Sequence, residues 1–294
     1  MSRIVACLVF FWAALAAGSL YAQPVRICVS IPPQKTFAAA VGKDLVQVDV
    51  MVRPGANPAT YEPRPSQLAA LAQTDIYFAV GVPFERAWLE RFAAVNPQMR
   101  IVHTEADIEK KPLPSSYNLK TQKPVSDQGH QGIKDPHVWL SPPLVRIQAQ
   151  NMGRALQELD PSHQATYREN LSAFLDKVNS LHADLQDLLA PVQGRAFLVF
   201  HPAWGYFART YGLRQVAVEL EGKDPKPSQL GRLISFARAQ NIRAIFVQPQ
   251  FSAKSARVVA RDIGAEVIVA DPLAENWTAQ LRRHARELRR VIED

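Results

Sequence analysis

The chain has 294 residues, 47% of them hydrophobic and 21% charged, a balance that excludes a disordered or fibrous protein. Its formal net charge of +7 is moderate and its basic residues do not interleave with aromatics, so nucleic-acid binding is not suggested. The length suits two α/β lobes of ordinary size or one large α/β domain.

Residues 1–22 differ in kind from the rest. Arg3 supplies a small positive start, Ile4 to Ala17 is almost entirely apolar, and small residues lead to Ala22, the pattern of a cleaved secretory signal peptide. The apolar run is shorter than the ~20 residues of a spanning helix, and Cys7 lacks a lipoprotein context. Cys28 is then the single remaining cysteine, so no intramolecular disulfide is expected. It sits in the apolar run Val25 to Ile31, as a buried structural thiol would.

That run reads as the first strand, Lys35 to Val41 as a helix and Val46 to Val52 as the next strand, an opening βαβ unit. The loop Arg53 to Pro63 is too rich in proline to be regular, and loops leaving strands in open α/β sheets bind ligands. Ser66 to Gln73 follows as a helix, Asp75 to Val80 as a buried strand, Pro83 to Ala94 as a helix and Arg100 to His103 as a strand. This alternation predicts an α/β fold with a mostly parallel sheet flanked by helices. Residues 110–134 break the rhythm and read as an exposed loop.

Asp135-Pro136-His137-Val138-Trp139-Leu140-Ser141-Pro142-Pro143 comes next. Pro136 biases Asp135 away from the α region, and the two later prolines are expected to delay the following helix until Leu144. His137 therefore sits on a stiff, non-helical segment. Asp160-Pro161 then opens a helix whose apolar period runs through Tyr167, Phe174, Val178 and Leu185 to Leu188, spanning Pro161 to Ala190. A second strand-helix series fills the remainder. The organisation expected is a first lobe at 23–159, one long connecting helix at 160–191 and a second lobe at 192–294.

Two positions of the second lobe share the placement of His137. His201 directly follows the apolar strand Ala196 to Phe200, and Asp271 directly follows Glu266 to Ala270. The carboxyl ends of such strands line the binding crevice, so two imidazoles and a carboxylate converge there in this reading. This donor set suits Zn²⁺, with Mn²⁺ or Fe²⁺ as alternatives, and three protein ligands leave one position open. Strand-end histidines bonded to backbone and a capping aspartate are the competing reading of the same residues.

Four segments in series carry a resemblance: Asp135 to Pro142; His201-Pro202-Ala203-Trp204-Gly205-Tyr206-Phe207 with Tyr211-Gly212-Leu213; Glu219 to Pro225; and Asp271-Pro272-Leu273. Together they resemble the zinc/manganese substrate-binding receptors of bacterial ABC importers, over nearly all of the chain after the signal. The resemblance implies two α/β lobes joined by a rigid helix, limited hinge motion and a metal between the lobes held by His137, His201 and Asp271. It also implies a periplasmic monomer, with no enzymatic activity, that hands its metal to an ABC permease, in a family that includes cell-adhesion proteins.

The chain departs from that pattern in the first-lobe loop, where Ala59 stands at the place of an expected histidine. Water, His103 or Glu85 could supply the missing donor, although His103 reads first as a structural or surface histidine and Glu85 as a helix-start charge. The loop before Asp135 holds only His130 where many zinc-specific members are rich in histidine. Glu219, Glu221 and Asp224 read first as charges on a solvated loop, with an acidic lip to the cleft as the alternative, and Arg282, Arg283, Arg286, Arg289 and Arg290 as a solvated helix face, with docking to a membrane partner as the alternative. A zinc hydrolase shares the two-His, one-carboxylate set, but no His-Glu-x-x-His arrangement accompanies it. A degenerate site for a chelated metal or another small solute is the other alternative, favoured by Ala59.

Overall fold

The computed structural model describes residues 23–113, 134–219 and 225–293. The signal sequence, His130, Glu221 and Asp224 lie outside these residues. In the first half, β1 (Val25–Val29), β2 (Val46–Val50), β3 (Ile76–Ala79) and β4 (Arg100–His103) form a parallel sheet in the order β2-β1-β3-β4. The helices α1 (Pro32–Gly42), α2 (Pro65–Leu71) and α3 (Glu85–Val95) follow successive strands. The inner strand β3 is buried along its whole length, whereas edge strand β2 alternates partly buried valines with exposed Gln47 and Asp49. That contrast is expected of a parallel sheet covered on both faces.

The second half repeats the plan. Here β5 (Ala196–Val199), β6 (Arg214–Ala217), β7 (Ala244–Val247) and β8 (Glu266–Val269) pair in parallel in the order β6-β5-β7-β8. Between them lie α6 (Gly205–Thr210), α7 (Pro227–Ala239) and α8 (Lys254–Ile263), and α9 (Trp277–Glu293) closes the chain. In both sheets the chain reverses its winding between two inner strands, β1 and β3 or β5 and β7. The carboxyl ends of such strand pairs open the crevice where ligands bind.

Two helices join the halves. α4 runs from Pro142 to Leu159, so it starts two residues earlier than the expected Leu144. Pro142 and Pro143 occupy the first helical positions, where a missing N–H costs nothing and a fixed φ is already helical; they initiate the helix instead of delaying it. α5 (Gln164–Leu189) has 26 residues, about 39 Å at ~1.5 Å per residue, with tighter 3₁₀ turns at Pro161–His163 and Ala190–Val192. Its buried stripe, Tyr167, Phe174, Val178, Leu181, Leu185 and Leu189, follows the helical period. Gly153 lets α5 approach α4, since a Cβ there would lie 2.8 Å from Leu171 Cδ2. One core joins the first sheet, α4, α5, α9 and the inner face of the second sheet, and a smaller one lies beneath α7 and α8. Among the described residues, no helix is long and apolar enough to cross a membrane.

Glu85 lies in the first turn of α3, but its carboxyl is turned into the sheet and the residue is only 2% exposed. It accepts from Ser30 Oγ at 2.5 Å and from the backbone N–H groups of Val80 and Gly81 at 3.0 and 2.7 Å. These bonds pin α3 to the carboxyl ends of β1 and β3. Burial outweighs them and pushes the carboxyl up to about 7. Because its folded value is raised, the stability contributed by Glu85 is full below about 4.5 and lost as pH rises through about 7. Relative to wild type, Glu85→Gln should therefore gain stability between pH 4.5 and 7, by about 3 kcal/mol. Urea unfolding curves of the two proteins across that window check this; a constant difference between them would contradict it.

Candidate metal centre

A proline at 136 biases Asp135 towards extended backbone, and the Asp135 carboxylate folds forward over the next turn. Asp135 Oδ1 accepts both the backbone N–H of His137, at 3.0 Å, and the ring Nδ1–H of His137, at 2.7 Å. Asp135 is fully buried, and the Tyr206 hydroxyl from α6 donates to its backbone oxygen at 3.1 Å. Burial pushes the His137 imidazole below its ordinary value, with Asp135 opposing. An imidazole must be neutral to bind a metal, and burial acts in that direction.

His201 leaves the carboxyl end of β5. Its backbone is gripped from the next strand by Gln248, whose Oε1 accepts the His201 N–H at 3.2 Å and whose Nε2 donates to the His201 oxygen at 2.8 Å. Phe251 stacks on the imidazole with centroids 4.8 Å apart. Its Nδ1–H donates to Glu219 Oε1 at 2.8 Å. The rings of His137 and His201 lie 5.2 Å apart, centroid to centroid.

The two imidazoles thus share one design. A carboxylate can only accept, so each pairing places the proton on Nδ1 and leaves the Nε2 lone pair free. Metal-ligating histidines are oriented this way, with a carboxylate behind the ring raising its basicity.

Asp271 follows β8 by two residues. Its Oδ1 accepts the Leu273 N–H at 2.9 Å and Gln250 Nε2 at 2.8 Å. The next residue, Pro272, accepts the Trp139 indole N–H at 2.7 Å, and the Trp139 oxygen accepts the Trp277 indole N–H at 2.7 Å. Two buried tryptophans therefore tie the Asp271 segment to the His137 segment. The turn after β7 serves both second-lobe candidates, with Gln248 and Phe251 on His201 and Gln250 on Asp271. Among the described residues, no group of three or more His, Cys, Asp or Glu side chains is already gathered to hold a metal ion. The structure brings the two imidazoles together and leaves the carboxylate outside that immediate pair.

Ala59 is exposed, and its N–H donates to Asn57 Oδ1 at 2.9 Å. Its loop hangs on Phe84, whose N–H donates to the Pro58 oxygen at 3.2 Å. His103 pairs with Glu105 Oε1 at 3.3 Å, and its side chain is 55% exposed. Neither it nor Glu85, whose oxygens are engaged by Ser30, Val80 and Gly81, makes a described contact with the two imidazoles. Glu219 corrects the expectation of a solvated charge: it is 5% exposed and orients His201. Its place just beyond the carboxyl end of β6 was the available signal. Gln248, just beyond β7, gave the same signal, whereas Asp135, Gln250 and Phe251 carried none.

The comparisons agree with this architecture. The chain is 25% identical to the high-affinity zinc uptake system protein ZnuA of Bacillus subtilis over 251 residues, covering 85% of this chain and 78% of that protein. It is 26% identical to the iron-binding protein YfeA of Yersinia pestis over 260 residues, covering 86% and 79%. A crystal structure of ZnuA superposes with a TM-score of 0.83 at 38% identity, covering 92% of this chain and all of that one. Residues 27–291 match the family model for the periplasmic component A of zinc-uptake complexes, ZnuA, and the chain belongs to that family.

Proposed function

We propose that the protein is a periplasmic receptor that captures a divalent transition metal between its two lobes and delivers it to an ABC permease. Zinc is the cargo this reading favours, with Mn²⁺ and Fe²⁺ as alternatives, and His137, His201 and Asp271 are its ligands. The observation that carries it is the pair of adjacent imidazoles, each with Nδ1 bound to a buried carboxylate and Nε2 left to bind metal. Nitrogen and oxygen donors of this kind suit Zn²⁺. The names of the relatives, one for zinc and one for iron, support the metal class.

Asp271 completes the set as cargo enters, and water takes the fourth position that Ala59 leaves without a donor. The protein performs no hydrolysis in this reading: Asp135 and Glu219 each accept the Nδ1–H of a proposed ligand imidazole, on the side of the ring away from its free Nε2. It is a monomer, secreted after cleavage of residues 1–22, with lobes at 23–159 and 192–294 and the connector at 160–191.

Calorimetric titration of the metal-stripped protein with zinc tests the proposal. One site with a Kd of ~1 μM or tighter is expected, and affinity no better than ~1 mM would sink it. In Ala59→His the added imidazole should tighten zinc binding by about tenfold or more, or about 1.4 kcal/mol.

A further inference from the structure

Asp271 offers its two oxygens unequally. Oδ1 is held twice, by the backbone N–H of Leu273 and by the side-chain amide of Gln250. With both lone-pair directions of Oδ1 taken, one of these donors must be given up before the carboxylate can clasp a metal with two oxygens. Gln250 Oε1 is buried and has no hydrogen-bond partner among the described residues, so the amide takes its orientation from the bond its Nε2 donates to Asp271. Turning the amide round would set that oxygen against the carboxylate, so the N–H···O bond to Asp271 holds it as it stands. An acceptor left unused in a buried place has a cost, which the bond to Asp271 offsets. The backbone of the same turn is fixed by the neighbouring Gln248 and Phe251, both engaged with His201.

We infer that Gln250 is a positioning residue that sets metal selectivity by restricting Asp271 to one-oxygen coordination. The inference rests on Asp271 being a ligand, as proposed above. With one oxygen from Asp271 and two imidazoles, the protein supplies three donors, which suits four-coordinate zinc. Manganese takes more oxygen donors in an octahedral shell and is disfavoured by a carboxylate that cannot open to a two-oxygen grip. Without the Gln250 donor, Oδ1 is held by Leu273 alone and the carboxylate can rotate onto the metal, which adds a donor and admits the larger ion.

The experiment compares wild type, Gln250→Met and Asp271→Ala by competitive binding of zinc against manganese and by the visible spectrum of the Co²⁺-loaded proteins. Four-coordinate Co²⁺ absorbs strongly in the visible and higher coordination weakly. Methionine keeps the length of glutamine without its amide, and Gln250→Asn, which keeps the amide but shortens its reach, is the second variant should the first fold poorly. Expected are strong bands in wild type, weaker bands in Gln250→Met or Gln250→Asn, and a zinc-over-manganese preference reduced about 10-fold or more. Unchanged spectrum and preference in the Gln250 variants, together with a change in Asp271→Ala, would overturn the inference and leave the ligand reading intact. No change in any variant would remove Asp271 from the ligand set, and the inference with it.

Discussion

Zinc affinity is expected to fall by well over ~100-fold in His201→Ala and by about 10–100-fold in Glu219→Gln. The first change removes the imidazole proposed as a donor. The second leaves the donor in place and alters only what stands behind it: a glutamine oxygen can still accept the Nδ1–H that Glu219 Oε1 accepts at 2.8 Å, so the ring keeps its tautomer and direction. What is lost is the negative charge that makes Nε2 the better base and that balances the cation. Titrations of both variants with zinc, at one pH and ionic strength, separate the two contributions. Wild-type affinity in Glu219→Gln would mean that the carboxylate only fills space, and wild-type affinity in His201→Ala would remove the site altogether.

The second large effect is on stability. Trp139 is 1% exposed and stands between His137 and Asp271, donating its indole N–H to Pro272 and accepting from Trp277 through its backbone oxygen. Trp139→Ala should destabilise the protein by about 3–5 kcal/mol, because the cavity it leaves adds to the lost transfer of the indole. Trp139→Phe keeps most of the apolar volume but orphans the Pro272 oxygen, and a cost of about 1–3 kcal/mol follows. Chemical denaturation of both variants measures this. A phenylalanine variant as stable as wild type would show that the indole bond contributes nothing, while an alanine variant losing under about 1 kcal/mol would contradict the packing argument itself.

The alternation of strands and helices was legible because buried parallel strands carry unbroken apolar runs, such as Ala196 to Val199, while the helices between them keep a 3.6-residue period. The positions of His201 and Asp271 followed from the same fact, since each stands just beyond a strand's carboxyl end. What lay behind the proposed ligands was hidden. Glu219 reaches His201 across 18 residues and Gln250 reaches Asp271 across 21, and such pairings depend on how strands are ordered in the sheet, which no local pattern encodes. A carboxylate in a polar stretch reads as solvated until the fold shows a histidine in front of it. The prolines at 142 and 143 misled for a different reason: the same ring that breaks a helix interior favours its first turn, and only the observed start at Pro142 shows which applies.

The single core running from the first sheet through α4, α5 and α9 to the inner face of the second has a consequence for how the chain can be divided. A fragment ending at Leu159 would lose the cover of Phe174 over Phe37, the anchor of Asn170 on Val41 and the edge contact of Trp277 with Phe37. The lobes are two in outline but one in cohesion: each half is completed by apolar surface that the other half supplies. Unfolding of the two halves is then expected to be coupled through this core, and a protease cut between them to leave the nicked pieces associated.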